Sequence, residues 1–406
     1  MTGGFAANVP LYRWSRFLRS LMFWQAVWFL YFQNSLSAAE AILLYAVYDV
    51  ATTALEVPSG YMSDRIGRRF TLLASAAAGL AGALLLAVGD SFAAFACGQV
   101  LLGASMAFAS GTDEAMLYES LAACDRSAEI ERQELIAWRF SFSGLALSAV
   151  TGGAMALVDP RLPFVAGALA LAGLFAVTLR MVEPPKSGND LPEGAEVLRL
   201  GSLRAAARDP VLNWLFVLGV LMYVFSHLPF VFGQPFILQA LDSLGLASQA
   251  PLVSGAVSAT MMGISVAVSL FALRLRRAVG LPVILLAAFG MQIGLVGVLA
   301  ITNSAIAVAF LFLRMVPDAL SRPFIIGRIQ PLLRNDARAT WLSLKSFVGR
   351  LVFAGALALA ASTTTADGIM PYPDIARILT GAFLVGLAML CVLAFSARRI
   401  AIEPLH

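Results

Sequence analysis

The sequence predicts an all-α membrane protein of about twelve transmembrane helices in two six-helix halves. Three observations carry this. The chain of 406 residues is 60% hydrophobic and only 13% charged, with a mean hydropathy of +0.83, whereas soluble domains carry about 25% charged residues. Apolar runs of the roughly 20 residues that span a hydrocarbon core recur along almost the whole length. One polar stretch, residues 183–210, interrupts that rhythm midway.

The runs lie near 17–36, 40–60, 70–89, 92–120, 135–158, 163–182, 211–234, 251–273, 281–301, 304–330, 341–362 and 375–397. The first is too long for the core of a cleaved leader, and Arg13, Arg16 and Arg19 are expected to hold its start on the inner side. It is aromatic, with Phe23, Trp24, Trp28, Phe29, Tyr31 and Phe32. Phe23 to Trp28 sit too deep for an interfacial belt, which makes Trp24, Gln25 and Trp28 candidates for lining a substrate cavity. The second run carries Tyr45, Asp49, Thr52 and Glu56 on one helical stripe. Asp49 lies well inside it, and an ionisable group there is a functional hypothesis.

Between the second and third runs stands Gly60-Tyr61-Met62-Ser63-Asp64-Arg65-Ile66-Gly67-Arg68-Arg69. Its charges are flanked on both sides by lipid-grade hydrophobicity. The fourth run holds Gln99 and, later, Gly111-Thr112-Asp113-Glu114-Ala115-Met116-Leu117-Tyr118-Glu119. On one continuous helix Asp113 and Glu114 lie about −40° and +60° from Gln99, and Glu119 about 160° away. If Gln99 faces a central cavity, one or both of the acid pair face it too. The other reading ends the span at Gly111 and leaves the pair interfacial.

Residues 183–210, rich in Pro, Gly and charge, read as a linker between domains 1–182 and 211–406. In the seventh run, Tyr223 is a cavity candidate and Ser226-His227-Leu228-Pro229 suggests a kink with a titratable tip. Arg274-Leu275-Arg276-Arg277 and Gly280 echo the charged turn of the first half without its aspartate. The tenth run carries Arg314, Asp318 and Arg322 at i, i+4, i+8, a same-face ladder. Pro317 and Pro323 are its expected kinks. Asp318 is expected to neutralise one arginine, leaving the other for an anionic substrate, for an acid elsewhere, or for no ligand at all.

Lys and Arg gather at the N-terminus, the even-numbered loops and the C-terminus, and only Arg161 and Arg377 fall clearly in odd-numbered ones. This places both termini in the cytoplasm. Cys97, Cys124 and Cys391 offer no disulfide framework. No metal-ligand cluster, phosphate-binding Gly-Lys-Ser/Thr loop or Gly-x-Ser-x-Gly elbow occurs, so no enzyme activity and no cofactor are expected.

The 60–69 stretch resembles the signature loop of the major facilitator superfamily of secondary transporters. That family's pattern, Gly-x-x-x-Asp-Arg-x-Gly-Arg-Arg/Lys, is filled by Gly60, Asp64, Arg65, Gly67, Arg68 and Arg69. The resemblance implies two pseudo-symmetric six-helix bundles, each an inverted pair of three-helix units, working by alternating access. It implies a gating role for the loop, with Asp64 facing the start of the eleventh helix near 335–340 and Glu119 serving Arg68. Leu55-Glu56-Val57-Pro58-Ser59-Gly60 and the Gly-Thr-Asp-Glu-x-x-Leu-Tyr stretch at 111–118 are similar to a bacterial branch whose members are mostly assigned as exporters. Two departures stand out. Gln99 occupies the place of an arginine found in many members, and the fifth helix lacks the Gly-Pro step of many drug/proton antiporters.

These readings converge on proton-coupled export of a small, partly apolar organic compound by an antiporter. Asp113, Glu114, Asp49 and His227 are the coupling candidates. Trp24, Gln25, Trp28, Gln99, Tyr223, Arg314, Asp318 and Arg322 are the cavity candidates. The alternatives are uptake of an organic anion, or a transport-dead receptor on the same fold. The expected partners are a small-molecule substrate and the lipid bilayer, not nucleic acid. The expected form is a monomer in a bacterial inner membrane.

Overall fold

A computed structural model describes residues 3–185, 208–329, 332–333, 335–364 and 369–403, with the backbone alone for 335–340, 57 and 131. The predicted linker is therefore largely outside the described residues. The described chain is helical throughout, in fifteen α-helices joined by short turns. Ten stretches among the described residues are long and apolar enough to cross a membrane. The predicted first and tenth spans complete the set as broken helices.

The first span is built from α1 (Gly3–Ser20), a 3₁₀ turn at Phe23–Ala26 and α2 (Trp28–Phe32). The sequence reading started it at residue 17. The helix instead begins near residue 3, because Asn8, Tyr12, Ser15 and Arg16 find polar partners inside the bundle. α3 (Ala38–Arg65) opens on a capping box in which Ser37 and Glu40 satisfy each other's backbone N–H. It runs on to Arg65, so the predicted 60–69 loop is mostly helix. Only Ile66 and Gly67 form the turn before α4 (Arg68–Val88).

α5 (Phe92–Ala109) and α6 (Thr112–Ala122) divide the predicted fourth span. Gly111 at φ 73 is the break, a left-handed conformation that glycine adopts without a Cβ penalty. α7 (Ile130–Val158) and α8 (Leu162–Leu179) complete the first half. α4 packs on α5 and α8, α3 on α5, and α1 on α6, α7 and α8.

In the second half, Asp209 caps α9 (Pro210–Asp242) by accepting from the Val211 and Leu212 N–H groups at 2.8 and 3.0 Å. α10 (Ala250–Val279), α11 (Leu281–Ile301), α12 (Val308–Leu311), α13 (Val316–Ile329), α14 (Asn335–Thr363) and α15 (Tyr372–Ala397) follow. α9 packs on α11, α13, α14 and α15, and α11 on α13 and α15. The turn at 312–315 separates α12 from α13.

The chain divides into two compact units, Met1–Asn189 with Pro251–Ala259, and Asp190–Ala250 with Thr260–His406.

Candidate functional site

In the first unit the turn between α3 and α4 is held by ion pairs and by a cap. Arg68 is central. Its Nη2 lies 3.1 Å from Glu119 of α6, and its Nη1 donates to Asp64 at 2.6 Å and to Ser63 at 2.7 Å. Arg68 and Glu119 are largely shielded, with 20% and 11% of their side chains exposed, whereas Asp64 is 69% exposed. The pairing that the resemblance implied for Arg68 is present. The Asp64 partner it implied falls on side chains outside the described residues, and Asp64 here meets Arg68. Arg65 lies over the Tyr61 ring, and Arg69 donates to the Leu179 carbonyl at 2.8 Å.

Sequence reasoning missed Glu183. Its two carboxylate oxygens accept the Arg68 and Arg69 backbone N–H groups, each at 2.7 Å, closing the N-terminus of α4. A carboxylate is well suited to that positive helix end. Asn8 places it, donating to the Val182 carbonyl at 2.7 Å and accepting the Val182 N–H at 2.9 Å. Gly67, at φ 131, is where this carboxylate approaches, and a Cβ there would lie 2.9 Å from a Glu183 oxygen. The second unit repeats the device. Glu403 accepts from the Leu281 N–H at 2.7 Å and pairs with Arg276 at 3.2 Å, beside Gly280 at φ 81. Arg328 fixes the neighbouring Ile402 carbonyl at 2.7 Å. The available signal was the recurrence of Val182-Glu183-Pro184 as Ile402-Glu403-Pro404.

A polar network runs through the first unit among α1, α4, α6 and α7. Arg16 reaches Asp113 at 2.8 Å and Glu114 at 3.8 Å. Tyr12 donates to Glu134 at 2.9 Å, Arg13 to Gln133 at 2.5 Å, and Arg19 to Ser75 at 3.0 Å. Gln133 continues to Glu129, which Arg126 grips at 2.7 and 2.9 Å. That turn lies outside the spans, and hydrogen bonds from Arg126 and then Gln133 hold the Glu129 carboxyl down at about 2. Arg13, Arg16 and Arg19, expected to hold the start of the first span, find their partners among the helices. They are built into the bundle.

Three expectations need correction. The helical-wheel link from Gln99 to Asp113 and Glu114 fails because the helix breaks at Ser110–Gly111. Asp113 is buried against Arg16, while Glu114, 54% exposed, has the longer contact. The Arg314–Asp318–Arg322 ladder is not one continuous helix face, because Arg314 lies in the turn before α13, although both arginines act electrostatically on Asp318. Arg314 stacks over Phe230, 5.0 Å from its centroid, and Asp318 accepts from Gln292 at 3.4 Å. Arg322 is exposed. Trp24 is not a lining residue, because it stacks on Phe164 and fills the space above Gly167.

Trp28 is buried against Phe32 and Tyr45, and Gln25 donates to the Leu145 carbonyl at 3.1 Å. Asp49 and Gln99 are buried on α3 and α5. In the second unit Tyr223 and His227 stack at 4.1 Å, and His227 Nδ1 lies 2.7 Å from the Tyr223 carbonyl. A carbonyl only accepts, so Nδ1 is the donor in this contact. Among the described residues, no group of three or more His, Cys, Asp or Glu stands together as a metal site would require.

Asp64→Asn is expected to leave the melting temperature nearly unchanged, because Arg68 keeps Glu119, yet to slow transport. Melting curves and transport rates measured on the same preparation check this. Transport at the unmodified rate would reduce the segment to a topological anchor.

The ten stretches long and apolar enough to cross a membrane make this a multi-pass membrane protein, and the family match makes it a transporter rather than an enzyme. The chain belongs to the Major Facilitator Superfamily, whose family model matches residues 14–357. No sequence match is found among curated proteins. Solved structures share the fold. The nucleoside transporter NupG superposes with a TM-score of 0.74 at 14% identity, covering 95% of this chain and 99% of that chain. The peptide transporter POT in complex with sulfate gives 0.72 at 13%, covering 98% and 95%. A D-xylose-proton symporter gives 0.68 at 13%, covering 95% and 97%. At these identities the likeness speaks for the fold alone.

Proposed function

We propose that this secondary transporter works by alternating access and couples export of a small, partly apolar organic compound to proton movement. One observation carries the coupling. Two adjacent carboxylates, Asp113 and Glu114, share the single guanidinium of Arg16, at 2.8 and 3.8 Å. Glu114 can therefore take up and release a proton while Asp113 keeps its ion pair. Asp49, buried on α3, is the next candidate. Export follows from the resemblance of the 55–60 and 111–118 phrases to an exporter branch. Domains 1–182 and 211–406 are the two moving halves in this reading, with residues 183–210 as linker.

Glu114→Gln is expected to abolish transport driven by a pH gradient while leaving substrate exchange without a gradient intact. Full gradient-driven transport in this variant and in Asp113→Asn would remove the pair from the coupling step. Loss of exchange as well as driven transport would make the pair structural.

The same reading places both termini and the linker in the cytoplasm, with the chain in a bacterial inner membrane. A cysteine introduced at Asp190 is expected to resist a membrane-impermeant thiol reagent in intact cells and to label after lysis. Efficient labelling from outside would invert the topology.

A further inference from the structure

Glu183 caps the start of α4 from an unpromising place. α8 ends at Leu179, so Val182 and Glu183 lie in irregular chain beyond it, and both are exposed. A free strand would not keep a carboxylate on two chosen N–H groups, because ordering it costs conformational entropy. Asn8 supplies the order. It is 1% exposed, within α1. One Nδ2 proton goes to the Val182 carbonyl at 2.7 Å and the other to Ser120 Oγ of α6 at 2.8 Å, while Oδ1 accepts the Val182 N–H at 2.9 Å. One turn earlier Gly4 faces the same residue, and a Cβ there would touch the Val182 side chain at 3.7 Å. Arg69 adds a further hold on this exit from α8, through the Leu179 carbonyl at 2.8 Å.

The arrangement needs a side-chain amide. Both of its protons and its oxygen are engaged, and no other side chain of that size offers two donors and an acceptor. Asn is an indifferent helix former, so tertiary bonds rather than propensity account for its place inside α1. The second unit holds its own cap differently. There Arg328 of α13 fixes the Ile402 carbonyl, and α9 begins at Pro210 under the Asp209 cap. In the first unit it is the early start of α1 that brings Asn8 to Val182.

We infer that Asn8 is a positioning residue for the signature turn and acts through Glu183. The amide fixes Val182, and the carboxylate of the next residue then closes the first two N–H groups of α4. The α3–α4 turn is thereby held in the arrangement where Arg68 spans Glu119 and Asp64. The start of α1 becomes part of the gate, and the linker departs from a point pinned to it. The step from turn to gate rests on the transporter reading; the step from Asn8 to the turn does not.

Amide hydrogen exchange on the full chain purified in detergent tests this. The Arg68 and Arg69 N–H groups open α4 and have no partner within their own helix, so their exchange reports the cap. Glu183→Ala is expected to speed it roughly five- to tenfold, the worth of a helix cap. Asn8→Ala is expected to speed it by a similar factor, and the double variant no further than Glu183→Ala alone, the non-additivity of residues acting in series. The Leu281 amide, capped by Glu403, is expected to keep its parental rate in all three and serves as the internal reference. Parental exchange at Arg68 and Arg69 in Asn8→Ala would overturn the inference. So would factors that multiply in the double variant, or an equal acceleration at Leu281, since Asn8 would then support stability in general. Where Asn8→Ala does not accumulate, Asn8→Asp keeps the acceptor and loses both donors, and parental exchange in it is equally contradictory. Transport separates the two readings. If Asn8→Ala loosens these amides while proteoliposomes exchange the same compounds at the parental rate, the positioning stands and the gate reading falls. If the amides stay protected while transport slows, the positioning falls and the transporter reading stands.

Discussion

Arg16→Gln is expected to destabilise the protein by about 3 kcal/mol, the scale on which removing one partner of a shielded ion pair acts. Arg16 is 17% exposed and Asp113 7%, so water replaces little of what the guanidinium supplies. The loss strands Asp113, whereas Glu114, 54% exposed and 3.8 Å from the same group, keeps water. Asp113 retains one contact, accepting the Glu114 N–H at 3.0 Å in the first turn of α6, and a carboxylate there gains modestly from the helix dipole. Asp113→Asn is expected to cost less, since Arg16 can turn to Glu114. The double variant Arg16→Gln/Asp113→Asn is expected to recover part of the single-variant loss, the non-additivity that marks a direct pair. Thermal melts of the four purified proteins check this. Additive effects, or an Arg16→Gln protein melting like the parent, would make the pair a solvated contact without structural weight.

Gly67→Ala is expected to cost about 2–4 kcal/mol and to lower transport with it. The residue sits at φ 131, where side chains are strained, and the added Cβ would crowd both Glu183 oxygens, at 2.9 and 3.1 Å. Those oxygens hold the first two N–H groups of α4. The substitution therefore both strains the turn and displaces its cap. Glu183→Gln removes only charge and one acceptor, so about 1 kcal/mol is expected. Gly60→Ala is the control. Among the described residues a Cβ there meets nothing within 4 Å, so little change in melting is expected. A Gly67→Ala protein as stable as Gly60→Ala would show that the turn tolerates the strain by moving.

Most of the fold was legible in the sequence because membrane spans are written in hydropathy, and this signal survives averaging over a long window. The 60–69 segment was legible because its charges and glycines occur in a fixed order, and Arg68 does meet Glu119. The helix breaks were not legible. An apolar window passes smoothly over Ser110–Gly111 and over 312–315, although the backbone turns at both. Every angular argument drawn across those points, from Gln99 to Asp113 or from Arg314 to Arg322, lost its basis. The partners of the α1 arginines were hidden for a related reason. Positive residues ahead of an apolar run look like anchors, and only the tertiary contacts show Arg16 and Arg19 meeting Asp113 and Ser75. Glu183 was hidden by the linker composition around it. Its recurrence beside Ile402, as Glu403, was the pattern that could have found it.

The most direct test of the account is a flux measurement. The purified protein in proteoliposomes, given a pH gradient and a broad panel of small, partly apolar organic compounds, is expected to drive one or more of them against its concentration gradient. Collapse of the gradient by a protonophore is expected to reduce this to passive exchange, and Glu114→Gln to do the same with the gradient intact. Exchange that ignores the pH gradient would contradict proton coupling. A protein that binds compounds yet exchanges none, across the panel and at any gradient, would contradict the central claim.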